Sequence, residues 1–149
     1  MKKILIKASG DILDNSKFVK FVKNKARNSQ VVVICGGGTQ ISEALIEAGF
    51  KIRYSHLGRV IKTEREEKIV KNVLEKEKRN LQNLINNKKV EVIIPILKAG
   101  TVECHINADN LVKAYYLGFD NIYVFTLKDR IKTKKEVFKR YPKVKILGI

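Results

Sequence analysis

Val31-Val32-Val33-Ile34-Cys35-Gly36-Gly37-Gly38-Thr39-Gln40-Ile41 is the stretch on which the fold turns. Its first half, Val31 to Cys35, is an unbroken apolar, β-branched run, the pattern of a strand buried on both faces. The glycine triplet ends it at once. A helical spacing follows at Ile41, Ala44, Leu45 and Ala48, and Gly49 falls just past the helix end. A buried strand, a glycine turn and a helix together make one unit of a parallel α/β sheet.

The same alternation extends in both directions. Upstream, Ile4-Leu5-Ile6 reads as a short strand, and Ser16 caps a helix with Phe18, Val19 and Val22 on one face. Downstream, the spacing of Val70, Val73, Leu74, Leu81, Leu84 and Ile85 predicts a long polar helix from about Glu64 to Asn87. Glu91 to Ile94 is another strand, ended by Pro95. Beyond a loop, Ala108 to Leu117 reads as a helix stopped by Gly118, and Ile122 to Phe125 as a strand. Lys134 to Arg140 forms a short helix and Val144 to Leu147 a last strand. Strands alternating with helices, several of them apolar throughout, predict an α/β fold with a central, mainly parallel sheet joined by right-handed crossovers.

The 149 residues fit a single domain, 1–149, and 44% hydrophobic content supports a real core. No apolar run approaches the ~18–20 residues that span a bilayer. Lys7 cuts Ile4-Leu5-Ile6 far short of a signal peptide's apolar region, so a cytoplasmic protein with no membrane partner is expected. Cys35 and Cys104 form no CxxC and read as free thiols; with only His56 and His105 beside them, no metal site is expected. The 31 basic and 15 acidic residues give a net charge of +16, which points to an anionic partner. The excess is lysine-rich and spread along the chain. That distribution disfavours nucleic acid and favours a small anionic metabolite, with a basic RNA-interacting module kept as an alternative.

Open α/β sheets bind ligands at the carboxyl ends of their strands, and four features fall there. Lys7-Ala8-Ser9-Gly10 follows the first strand: an ammonium, then small residues whose amides can approach the same anion. Taken alone it reads equally as a solvated lysine before an ordinary turn. Gly36, Gly37 and Gly38 remove every Cβ between strand and helix, more than a turn requires, so that amides and a helix start can face an anion. Arg59 can fork a carboxylate or phosphate, or stand as a surface loop arginine. Asn107 is a natural helix cap and Asp109 a favourable first-turn carboxylate, whether or not they also meet a ligand.

In this order the four features resemble the amino acid kinase superfamily, which includes N-acetylglutamate kinase, uridylate kinase and aspartokinase. Lys7-Ala8-Ser9-Gly10-Asp11-Ile12-Leu13 is similar to the K-L-S-G-E-A-L opening of uridylate kinases, and Gly36-Gly37-Gly38-Thr39-Gln40-Ile41 to G-G-G-P-Q-I of acetylglutamate kinases. Leu57-Gly58-Arg59-Val60-Ile61-Lys62-Thr63 loosely resembles G-L-R-V-T-D. Ile94-Pro95-Ile96 with Ile106-Asn107-Ala108-Asp109 resembles the S-P-I and N-A-D pair, and Tyr141-Pro142-Lys143-Val144-Lys145 resembles K-Y-P-x-A-K.

The resemblance implies a three-layer αβα sandwich holding an acceptor-binding half and the start of a nucleotide-binding half. It implies catalytic roles for Lys7, on the transferred phosphoryl group, and for Asp109, which orients it. Gly10, Gly36, Gly37, Gly38, Arg59 and Asn107 would bind the acceptor, and Thr126 and Lys128 the nucleotide; ATP and Mg2+ would be the cofactors of an active protein. Leu127 and Arg130 replace the family's Asp and Gly near the nucleotide entrance. The reading expected from this is a binder of a small anionic metabolite, degenerate in ATP-dependent phosphoryl transfer. The alternative is an active small-molecule kinase whose ATP site a partner chain completes. A sheet this short is also expected to self-associate as a homo-oligomer, through an open edge or the apolar stripe of the long helix.

Overall fold

The computed structural model describes all residues, Met1–Ile149. Strands and helices run in the order β1 (Lys2–Ala8), α1 (Ser16–Lys25), β2 (Ser29–Cys35), α2 (Gly38–Glu47), β3 (Tyr54–Ser55), β4 (Gly58–Arg59) and α3 (Glu64–Ile85). They continue with β5 (Val90–Ile93), β6 (Ile96–Ala99), β7 (Val102–His105), α4 (Ala108–Ala114), β8 (Asn121–Thr126), α5 (Ile131–Val137) and β9 (Val144–Gly148). Five strands form one sheet in the order β5-β2-β1-β8-β9, every pair parallel. Helices cover both faces, giving the three-layer αβα sandwich.

The strand pleat sorts the core. Ile4, Ile6 and Ala8 of β1 point to the face covered by α1 and α3, where Phe18, Val22, Leu81 and Ile85 meet Val31, Val33 and Phe125. Leu5 points the other way, onto Leu111 and Val112 of α4 with Ile34, Ile122 and Val124. A strand's period of two therefore sends Lys7 toward the α4 face as well. A third cluster lies beyond the sheet, where Ile41 and Leu45 of α2 pack on Val70 and Leu74 of α3.

Local chemistry sets the boundaries. Asn15, rather than Ser16, caps α1, its Oδ1 accepting from the Lys17 and Phe18 amides. Thr63 and Glu66 close a reciprocal capping box on α3. That helix stops two residues early because Asn86 turns left-handed at φ 44°. The helix expected over Ala108–Leu117 ends at Ala114 and tightens into a 3-10 turn at Tyr116–Gly118; the one expected from Lys134 starts at Ile131. Two short antiparallel ribbons, β3–β4 and β6–β7, stand where only loops were expected.

Parts of the two surfaces invoked for self-association are occupied within the chain, while β9 forms the sheet's other edge. Val70, Leu74, Leu81 and Ile85 of α3 are buried in the core, whereas Leu84 of the same stripe is 45% exposed. The outer edge of β5 is capped at two of its polar groups by Gln82, whose side-chain amide donates to the Val90 carbonyl and accepts from the Val92 amide, both at 2.9 Å. No helix is long and apolar enough to cross a membrane.

Candidate anion-binding cleft

The carboxyl ends of β1 and β2 open into a cleft of about 350 Å³. Lys7, at the sheet centre, has a side chain only 6% exposed, and α4 brings Asp109 in from its first turn to 3.4 Å from the Lys7 ammonium. Lys134 of α5 reaches the other oxygen of the same carboxylate. One buried carboxylate thus serves two lysines. Burial pulls the Lys7 ammonium below the ordinary lysine range; Asp109 opposes that and Lys134 adds to it. Burial alone would raise Asp109, but the Lys7 and Lys134 charges win and hold it below the usual carboxylate range. Asp109 is ionised and tied, so it is not a free base.

The rest of the wall is polar and mainly cationic. Arg59, held by β4, donates to the Ser42 hydroxyl at 2.9 Å and to the Gly38 carbonyl at 2.8 Å, and stacks over Tyr54. Arg130 pairs with Asp11 at 3.2 Å, and Asp11 accepts from the Thr39 hydroxyl at 2.7 Å. Four cations (Lys7, Arg59, Arg130, Lys134) face two carboxylates (Asp11, Asp109) around the cleft. His105 also lines it, and burial followed by the Arg59 charge pushes its imidazole down to about 4, so it is neutral at pH 7. Its Nδ1 is buried without a hydrogen-bond partner.

The glycines divide by what a Cβ would meet. At Gly36 it would sit 2.6 Å from the Ala8 carbonyl oxygen, and at Gly10 2.9 Å from the Gly37 Cα. Both mark the place where the β1 and β2 turns cross. At Gly37 the Cβ would point at Leu74, 3.1 Å away, a side chain of the apolar α2–α3 cluster that also forms part of the cleft lining. Only Gly38, 3.9 Å from Arg59 Nη2, has ordinary room on the cleft side. Gly37 starts α2 with no side-chain cap, so the first α2 amides are not capped by a side chain.

The structure therefore brings together Lys7, Gly10, Gly36, Gly37, Gly38, Arg59, Asn107 and Asp109. Asn107 spends its Oδ1 on the Asp109 amide at 2.8 Å and packs under Gly58, whose φ of 113° suits glycine. Thr126 and Lys128 are not in the cleft. Thr126 is fully buried with its carbonyl taken by the Ile149 amide, and Lys128 lies against Gly148. Sequence reasoning missed Arg130, Lys134, Asp11 and His105. Lys134 and Arg130 sit in the most basic stretch of the chain, where no local pattern separates a cleft cation from a solvated one.

No family model and no curated protein matches this chain. Solved structures do. A Streptococcus mutans UA159 protein, smu.665, matches at TM-score 0.66 and 18% identity over 83% of this chain and 72% of that one. An N-acetylglutamate synthase from Neisseria gonorrhoeae complexed with coenzyme A and L-arginine matches at TM-score 0.62 and 10% identity, over 99% of this chain and 56% of that one. Complexed with coenzyme A and N-acetyl-glutamate, it matches at TM-score 0.57 and 10% identity, over 86% and 42%. This chain thus spans about half of the synthase, and likeness at these identities shows the fold alone.

These findings correct the expected membership of the amino acid kinase superfamily and the kinase and ATP-binding roles drawn from it. No family model supports it, and the named enzyme among the neighbours is a synthase described with coenzyme A. The physical reason lies in the glycine motifs. Gly10, Gly36 and Gly37 are accounted for by backbone crossing and core packing. They report how two strand ends meet and do not specify a reaction.

Proposed function

We propose that the cleft binds a small metabolite through an anionic head group, a carboxylate or a phosphate. One observation carries this: two lysines, one of them almost wholly buried, share a single carboxylate. A buried cation without its full countercharge is costly, and an incoming anion supplies that charge where water is scarce. Arg59, the α2 amides and the unsatisfied Nδ1 of His105 offer further polar contacts. The ligands named with the synthase of similar fold, N-acetyl-glutamate and L-arginine, carry carboxylates, which makes acylated and free amino acids sensible first probes.

Two free cysteines, one of them exposed, suit a reducing compartment, and the protein is inferred to work in the cytoplasm. A polyanion reading is weaker. In the basic segment, Lys134 is tied to Asp109, Arg130 to Asp11, and Lys143 to the carbonyls of Tyr116 and Phe119 at 2.6 and 2.8 Å. A thermal-shift screen of phosphates, acetylated amino acids and nucleoside monophosphates tests the proposal. A stabilising anion whose effect disappears in Lys7→Ala supports it, and no response to any of these anions sinks it.

A further inference from the structure

We propose that Asp11 is a built-in competitor for the cleft, occupying the Arg130 guanidinium until a ligand anion displaces it. The inference rests on the anion-binding reading above. Asp11 directly follows the Gly10 turn and lines the cleft. One of its oxygens accepts from Thr39 Oγ1 at 2.7 Å and the other faces Arg130 Nη1 at 3.2 Å. Thr39 is the second residue of α2, so the carboxylate stands beside the helix start that an anion would seek. It bridges two positions a ligand head group would use.

The arrangement differs from that of Asp109. The Asp109 side chain is 9% exposed and clamped by two lysines, whereas that of Asp11 is 24% exposed and its arginine partner 50%. A half-exposed ion pair is weak enough for a ligand to break. Displacement releases Arg130 toward the cleft and leaves Asp11 to solvent. An anion that merely replaces Asp11 at Arg130 exchanges one carboxylate contact for another. One that also reaches Lys7 gains a contact that Asp11 does not make. Asp11 thus selects head groups able to engage both cations, a phosphate or a pair of nearby carboxylates, over a lone carboxylate.

Calorimetric titration of inorganic phosphate into the whole protein, Asp11→Asn, Arg130→Gln and the double variant tests this. Asp11→Asn keeps the side chain's size and its acceptor for Thr39. It is expected to tighten phosphate binding by up to about fivefold, the size of one exposed ion pair released. Arg130→Gln is expected to weaken binding, and Asp11→Asn to add little in that background. Unchanged or weaker binding in Asp11→Asn overturns the inference, as does an equal gain with and without Arg130. If phosphate binding to the unaltered protein survives Lys7→Ala, the anion-binding reading itself fails, and this inference falls with it.

Discussion

Asp109 and Lys7 form one ion pair, yet deleting either partner has very different consequences. Asp109→Asn leaves two ammonium groups together, with side-chain exposures of 6% and 18%, and no countercharge. Removing one partner of a buried pair costs about 3–5 kcal/mol. For a domain of this size that lowers the melting temperature by roughly 6–20 °C. Lys7→Met instead removes the group that burial disfavours and leaves Asp109 paired with Lys134. Its cost should stay below about 1.5 kcal/mol, the range of a volume-conserving core swap. Phosphate should stabilise Asp109→Asn more than the unaltered protein, because it replaces the missing carboxylate charge. Chemical denaturation of both variants, with and without phosphate, provides the assay. Lys7→Met as damaging as Asp109→Asn would refute the view that the lysine is desolvated and only half compensated.

Gly37→Val should lower stability by about 1–3 kcal/mol through overpacking against Leu74, whereas Gly38→Val, beside Arg59, should weaken anion binding with little change in the unfolding midpoint. His105, held down to about 4, should lower stability as pH falls. The unfolded chain takes the proton near pH 6.5 and the folded one resists it, so up to about 3 kcal/mol is lost between 6.5 and 4. His105→Gln should flatten that part of the curve, and an NMR titration placing His105 above 6 would contradict it. Thr63→Ala should cost about 1 kcal/mol by opening the α3 capping box, read as a drop of a few degrees in melting temperature.

Much of this architecture is written in local patterns. The apolar run Val31–Cys35 and the helical spacing after Gly38 each imply one element, and the central parallel sheet follows from their alternation. Strand ends followed by Lys7 and by the glycine triplet mark the cleft because the sheet topology places them side by side. What the sequence does not disclose depends on tertiary direction. Gly37 looks like a ligand-facing glycine until its missing Cβ is seen to point at Leu74. Lys134 looks like any lysine of a basic helix until α5 lays it against Asp109. The ribbons β3–β4 and β6–β7 are too short to show a period, although they deliver Arg59 and His105 to the cleft. Arg130 first reads only as the replacement of a family glycine near the nucleotide entrance; in the structure it is a cleft cation paired with Asp11.

Amide chemical-shift mapping during a phosphate titration tests the central claim most directly, since each backbone N–H reports its own surroundings. Perturbations are predicted to concentrate at Lys7–Asp11, Gly37–Thr39 and Asn107–Asp109, the segments that meet in the cleft, and to vanish in Lys7→Ala. Shifts spread over the exposed lysines of α1 and over β9 instead, and indifferent to Lys7, would show that the anion follows the protein's general positive charge and that the cleft is not its site.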